Sequence, residues 1–519
     1  MIKGNRGKRV FHNRGRPACP LRPPDLCRKI RALELKSKTH VKDHAGQKSV
    51  FSKTYAVPML EDMSVAELKE RLVRSKRAAK MDQDGEDGPK PTAIIMLDLG
   101  YDPKIEGNEA GQSSMPEDIY NAPYARKMAI LRALGWSAEM HGYVGKVGEV
   151  EGPPRCAFDS VHCAWLPGMI SNIHEIHEWN HRHLVHNRGM VEYLKTAWDR
   201  WMEMPAKNRC KFFRREKDAV SVPALVPSNF AQRSERGCRP GTDIHSQTCW
   251  YHTDDETPIF EGLWDTLEVD LAVDVCTAMD MVKDAINDHP HWSKYYYALV
   301  THPGHHAGRS SIGGYCYVNN AAVIANMLTR HEKQFCKKVA ILDVDYHCGN
   351  GTISIFWGRP DVFVASIHAD PSGDYPWNSG FADQVGEGDG EGTTLNLPLP
   401  RDVEWTEYRI ALKRALAAIK EFGAEAIVVS LGLDTHIDDP VQEKATAGMR
   451  LTSEDYFDMG KLLAGAEVRL CFVQEGGYQV DVAGELVAQL LKGVQVEFER
   501  QGSRKRDASA ASLDGFESS

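Results

Sequence analysis

The sequence predicts an α/β protein built on a mostly parallel sheet with helices on both faces, and three observations predict it. Apolar, strand-like runs alternate with helical patterns along most of the chain. The later runs are continuously apolar, as strands buried on both faces are, and polar residues recur just past their ends. With 519 residues and 42% hydrophobic content the chain can bury a large core. A single large domain is expected over residues 92–498. It is preceded by a basic, largely disordered leader at 1–91 that holds a short helix and a linker, and followed by a polar disordered tail at 499–519.

Residues 1–40 carry twelve Lys or Arg against two acids, Asp25 and Glu34, with no sustained apolar period. Such a leader fits an organelle transit segment or a solvated tail. A helix is expected at 64–80, then the linker DQDGEDGPKP at 82–91. From there the order reads strand at 93–97, helices at 124–134, 190–203 and 264–286, and strand at 297–300. It continues with a helix from Asn320, strand from Val339, strand at 362–367, helix at 405–421, strand at 426–431, helix at 454–465 and strand at 470–475. In sheets of this kind, sites form beyond the carboxyl ends of the strands.

Composition narrows the function. The formal charge is −9, and because residues 1–40 hold +10 of the total, residues 41–519 carry −19. An acidic body argues against general nucleic-acid binding and suits a cationic small substrate. The twelve cysteines include no CxxC pair, which reads as reduced thiols in a cytoplasmic setting, with an organelle or the nucleus as the alternative through the leader. No apolar run has the length that crosses a bilayer. HEWNH at 177–181 matches the HExxH zinc-protease pattern, with His174, His183 and His186 nearby. The segment is polar nearly all round and no extended protease signature follows, so a solvated or stray metal-binding helix is the favoured reading.

The stretch KKVAILDVDYHCGNGT, 337–352, carries most of the chemistry. Val339 to Leu342 form an apolar run, and Asp343, Asp345 and His347 follow at alternate positions, which in an extended chain share one face. Three buried polar groups in a row need partners or a cation, which points to a metal site. A capped strand end with a hydrogen-bonded His is the other reading.

THPGHHAGRSSIGGYCYVNN at 301–320, DVDYHCGNGT, LGLDT and EGGY together resemble the histone deacetylase family of the arginase/deacetylase fold, with closest likeness to acetylpolyamine amidohydrolases, from about Tyr124 to Gly493. The resemblance implies a metal-dependent amidohydrolase that frees small amines from acetyl groups. Asp345, His347 and Asp434 would be the ligands of Zn2+, or of Fe2+, which the same donors accept. It makes His305 and His306 the acid–base pair, oriented by Asp343 and Asn350, and Tyr478 the hydrogen-bond donor to the substrate carbonyl. Tyr315 and Gly314 belong to the channel wall, and Asp343 and Ser366 to a structural K+ site.

The chain departs from the family pattern at Cys348, where a His usually follows His347, at Thr301-His302, and at His436, which is expected to line the channel. Asp434-Thr435-His436 lacks the Asp-x-Asp of the arginase branch, which disfavours a dinuclear manganese enzyme. In the polyamine subgroup two glutamates meet at the channel mouth, often across a dimer. Here Glu256 falls on one of these positions and His245 on the other, so a homodimer with weakened polyamine selectivity is expected. The alternatives are a protein-lysine deacetylase and a catalytically silent binding protein of the same fold.

Overall fold

In the computed structural model the strands at 92–97 and 161–165, five helical positions between 126 and 133, and residues 185–517 are described, apart from 210–223, 234–236, 292, 331–334 and 443–447. The chain divides into two units, Met1–Arg71 and Leu72–Ser519, and the described residues all belong to the second. The leader, the helix expected at 64–80 and the HEWNH segment lie outside the described residues.

Eight parallel strands make one sheet in the order β2-β1-β3-β8-β7-β4-β5-β6. They are β1 (Thr92–Leu97), β2 (Val161–Trp165), β3 (Lys294–Ala298), β4 (Val339–Asp343), β5 (Val362–Ala369), β6 (Thr394–Leu399), β7 (Ala426–Leu431) and β8 (Arg469–Gln474). The helices are α1 (Arg188–Met202), α2 (Ile244–Tyr251), α3 (Leu263–Ile286), α4 (Asn320–Arg330), α5 (Asn350–Phe356), α6 (Trp405–Phe422), α7 (Ser453–Ala464) and α8 (Val480–Glu517).

The continuous apolar runs of the central strands feed two cores, one on each face. Val339 and Ile341 of β4, with Ala426 and Val428 of β7, pack with α1, α3, α4 and α5. Ala340 and Leu342, with Ile427, Val429 and Leu431, pack with α6, α7 and α8. This is the period of two expressed as packing. Truncating a residue such as Leu342, fully buried in the second core, would cost about 2–5 kcal/mol. Helix ends follow local chemistry: α7 opens with a capping box in which Thr452 and Asp455 exchange hydrogen bonds. α6 closes on Gly423 in the left-handed conformation.

The structure corrects several expectations. β3 begins at Lys294, ahead of the strand expected from Tyr297. β2 and β6 had no expectation: VHCAW is a five-residue run interrupted by a histidine, and β6 contains Pro398, which is tolerated because β6 is the sheet's last strand. α8, for which there was no expectation, crosses the domain end expected at 498. It runs to Glu517, so the residues expected as a disordered tail are helical up to there, through an Ala-, Arg- and Lys-rich stretch without proline. No helix among the described residues is long and apolar enough to cross a membrane.

Candidate metal centre and active site

Five neighbouring strands, β3, β8, β7, β4 and β5, present the loops at their carboxyl ends to one another. Asp345 and His347 come from the β4 loop and Asp434 from the β7 loop, and one donor atom from each lies within 4.8 Å of the others. His347 Nδ1 stands 3.4 Å from Asp345 Oδ1 and 3.3 Å from Asp434 Oδ2. The other carboxylate atoms are held by backbone: Gly476 N–H donates to Asp345 Oδ2 and Tyr346 N–H to Asp434 Oδ1. Asp434 Oδ2 is buried and accepts no hydrogen bond. An orphaned carboxylate oxygen facing an imidazole and a second carboxylate fits a divalent cation, and a three-residue set leaves a coordination position for water or substrate.

Electrostatics agree. Burial and the neighbouring Asp345 push Asp434 up to about 7. Burial would raise Asp345 as well, but His305 and His347 hold it far below the usual carboxylate range. Burial would lower His347, but the carboxylates of Asp345 and Asp434 beside its ring raise it to about 9.

His305 and His306 come from the β3 loop, with ring centroids 3.9 Å apart. They differ in partner. His305 Nδ1 lies 3.0 Å from Asp343 Oδ2, and His306 Nδ1 lies 2.8 Å from Asn350 Oδ1. Burial would lower His305, but Asp345, Asp343 and Glu475 raise it well above its ordinary value. His306 is held well below its ordinary value by burial, then by His305 and His347. Gly314 sits under His306 with φ +56, where a Cβ would come within 2.3 Å of the imidazole, so only glycine fits.

Tyr478 follows Gly476 and Gly477; a Cβ on Gly476 would reach 2.7 Å from Asp345 Oδ2. The amides of Tyr478 and Gln479 both donate to Asp439 Oδ2. Burial, then Tyr315 and Asp434, raise the Tyr478 phenol well above its ordinary value, so it stays a donor. Its ring meets Tyr315 edge-on at 5.7 Å, and the Tyr315 hydroxyl donates to Glu256 Oε2 at 2.9 Å. Ser366 pairs in register with Asp343 and its hydroxyl lies 2.8 Å from His368 Nδ1.

The structure thus brings Asp343, Asp345, His347, Asn350, His305, His306, Asp434, Tyr478, Gly314 and Tyr315 together, with Glu256 attached through Tyr315. His245 is half-buried on α2 and its Nε2 meets the Asn208 carbonyl. His436, expected at the channel, is buried in the turn after Asp434, where its Nδ1 accepts from the Asp438 amide. Cys348 is fully buried beside His368, and His186, near the HEWNH motif, bridges the Gly308 carbonyl and the Asn319 amide.

Sequence reading missed Tyr375 and Asp439, and took Asp254 only as an acid adjoining Glu256. The Tyr375 ring stands edge-on to His306 at 4.8 Å, and its hydroxyl donates to Asp254 Oδ2, which also accepts from the Gly314 amide. Its signal was present, an aromatic residue before proline just past the end of β5. Asp254 and Asp439 act on distant backbone amides, which no local pattern announces.

Residues 167–494, more than half of the chain, match the histone deacetylase domain. An acetylpolyamine amidohydrolase from Mycoplana ramosa is 41% identical over 310 residues, covering 60% of this chain and 82% of that protein. Acetylpolyamine amidohydrolase 1 of Pseudomonas aeruginosa is 35% identical over 312 residues, 60% and 81% of the two chains. The crystal structure of an acetylpolyamine aminohydrolase from Burkholderia pseudomallei shares the fold, with TM-score 0.57 at 24% identity over 78% of this chain and 99% of that one. The domain match, the identity to these relatives and the strand-end site agree, and the chain belongs to the histone deacetylase family.

Proposed function

We propose that this protein is a metal-dependent amidohydrolase that removes acetyl groups from small amines of the polyamine type. The observation that carries the reading is the convergence of Asp345, His347 and Asp434 beside the tandem histidines. Relatives named acetylpolyamine amidohydrolase support the substrate class. Zinc is the preferred ion and ferrous iron the alternative, since oxygen and nitrogen donors accept both. A bound ion supplies Lewis acidity and a lowered pKa for water at the open position.

The chain's own groups do the rest. Nδ1–H of His306 donates to Asn350, which leaves the Nε2 lone pair free, and the depressed pKa keeps the ring neutral. His306 takes the proton of the attacking water and returns one to the departing amine nitrogen. His305, with its proton held toward Asp343, adds positive character beside it. Tyr478 donates to the carbonyl oxygen as negative charge gathers there. Acetate and a free amine are the products. Glu256 at the Tyr315 hydroxyl is the acidic group offered to a distal ammonium, K+ would occupy the Asp343–Ser366 region, and a homodimer is part of the same reading.

The test is hydrolysis by the zinc-loaded protein of acetylated polyamines, acetyl-lysine peptides and neutral acetylated amines, with acetate measured directly. Turnover of acetylpolyamines above the other two classes is expected. Turnover of none of them by protein with one ion bound would overturn the reading.

A further inference from the structure

A second group of donors includes one of the tandem histidines and is made of His305, Cys316 and Glu475. All three are buried, and an imidazole nitrogen, the thiol sulfur and a carboxylate oxygen lie within 4.8 Å of one another. We propose that this group is a second, inhibitory site for a thiophilic divalent cation such as zinc, distinct from the Asp345–His347–Asp434 set. The proposal rests on the catalytic reading only where inhibition is concerned.

The orientation of His305 points to a ligand. Its Nδ1 lies 3.0 Å from Asp343 Oδ2, which leaves Nε2 as the nitrogen open to an ion, and the proton on Nε2 passes to solvent when the ion binds. A histidine whose far nitrogen is fixed by a carboxylate is the arrangement metal-ligating histidines adopt. Nε2 also lies 3.6 Å from Asp345 Oδ1, so a fourth donor is at hand and that carboxylate could be shared between the two ions.

The donor types narrow the ion. Sulfur, nitrogen and oxygen together suit zinc or cobalt and disfavour magnesium or calcium, which prefer oxygen alone. Bonds of about 2.0–2.3 Å set tetrahedral donors about 3.3–3.8 Å apart, and the three atoms, all within 4.8 Å of one another, close to that spacing when the ion binds. Glu475 is already anchored by its bonds from the Gly304 and His305 amides and the Ser430 hydroxyl, so Cys316 is the group that moves, leaving the Gly314 carbonyl to which its thiol donates. The thiol proton passes to solvent when sulfur binds the ion.

The consequence follows from the shared residue. An ion on His305 Nε2 takes that ring out of the tandem pair and sets a second positive charge beside His306. One ion per chain supports turnover and a second suppresses it.

Cobalt titration of the metal-free protein separates the two sites, because only the second contains sulfur. The first equivalent gives visible d–d bands alone. The second gives a near-ultraviolet thiolate-to-cobalt charge-transfer band. Cys316→Ala, a residue outside the catalytic machinery, keeps the first stage and loses that band. In the activity arm, excess zinc lowers wild-type turnover by tenfold or more and Cys316→Ala by less than twofold. A charge-transfer band that survives in Cys316→Ala, a second equivalent without the band in wild type, or equal inhibition of both proteins would overturn the proposal. Both spectral stages without hydrolysis of any acetylated amine would sink the catalytic reading and leave the second site standing.

Discussion

Asn350 gives His306 a neutral partner, its side-chain oxygen 2.8 Å from Nδ1, while the adjoining His305 faces a carboxylate at 3.0 Å. The two imidazoles are therefore tuned in opposite directions. Replacing Asn350 with Asp places a buried negative charge on His306, which favours the imidazolium and raises its pKa. The acid limb of the kcat/KM profile should move up by about one pH unit or more, because the base is protonated over a wider range. An unmoved limb in the Asn350→Asp enzyme would remove His306 from the role of base.

The ligand assignment is tested at Asp434, whose carboxyl burial and Asp345 push up to about 7. A carboxyl with a raised folded pKa takes up protons on folding, so its charged form costs stability as pH rises from about 4 towards 7. At pH 8 metal-free Asp434→Asn should unfold at or above the temperature of the metal-free wild type. It should gain nothing from zinc, which stabilises the wild type by binding the folded state. A variant that still gained the full zinc increment would rule Asp434 out as a ligand.

Tyr478 is argued to act on the substrate oxygen alone. Tyr478→Phe removes one hydroxyl and should retain the metal while turnover falls by about a hundredfold or more. Turnover within a few-fold of wild type at full metal content would end that assignment.

Selectivity should follow Glu256, which the Tyr315 hydroxyl holds at 2.9 Å. Glu256→Gln should lower the kcat/KM ratio of an acetylated polyamine to a neutral acetylated amine of equal length, and His245→Glu should raise it. If neither ratio moves, the 240–264 loop does not select the substrate.

What the sequence made legible was chemistry confined to one strand end. Asp343, Asp345 and His347 were readable because an apolar run ended in polar residues at alternate positions, and the structure delivers them from the carboxyl end of β4. Asp439 was not readable, because its role is to accept the amides of Tyr478 and Gln479 some forty residues away. Glu475 was visible as a polar residue past β8, but not its grip on the Gly304 and His305 amides. Backbone acceptors chosen by tertiary folding leave no periodic trace. The domain was ended at 498 for a different reason: beyond that point charge replaces the apolar period, and helix propensity carries α8 on without it.

Acid stability should be set in part by His252, which is 1% exposed and pulled down to about 3 by burial and then by Arg233. An unfolded chain protonates this residue near pH 6.5, and the folded chain does not until about pH 3. The unfolded state therefore binds the extra proton, and the stability contributed above pH 6.5 is lost as pH falls towards 3, by about 1.4 kcal/mol per pH unit. His368, lowered to about 4 by burial, acts in the same sense. Asp434 and Glu475, both raised to about 7, act in the opposite sense, so the net slope of the wild type does not isolate the histidines. The difference between wild type and His252→Gln does. In metal-free protein, denaturant unfolding from pH 6.5 to 4 should show the variant losing less stability by about one proton's worth of slope. Parallel curves would mean that His252 is protonated equally in both states.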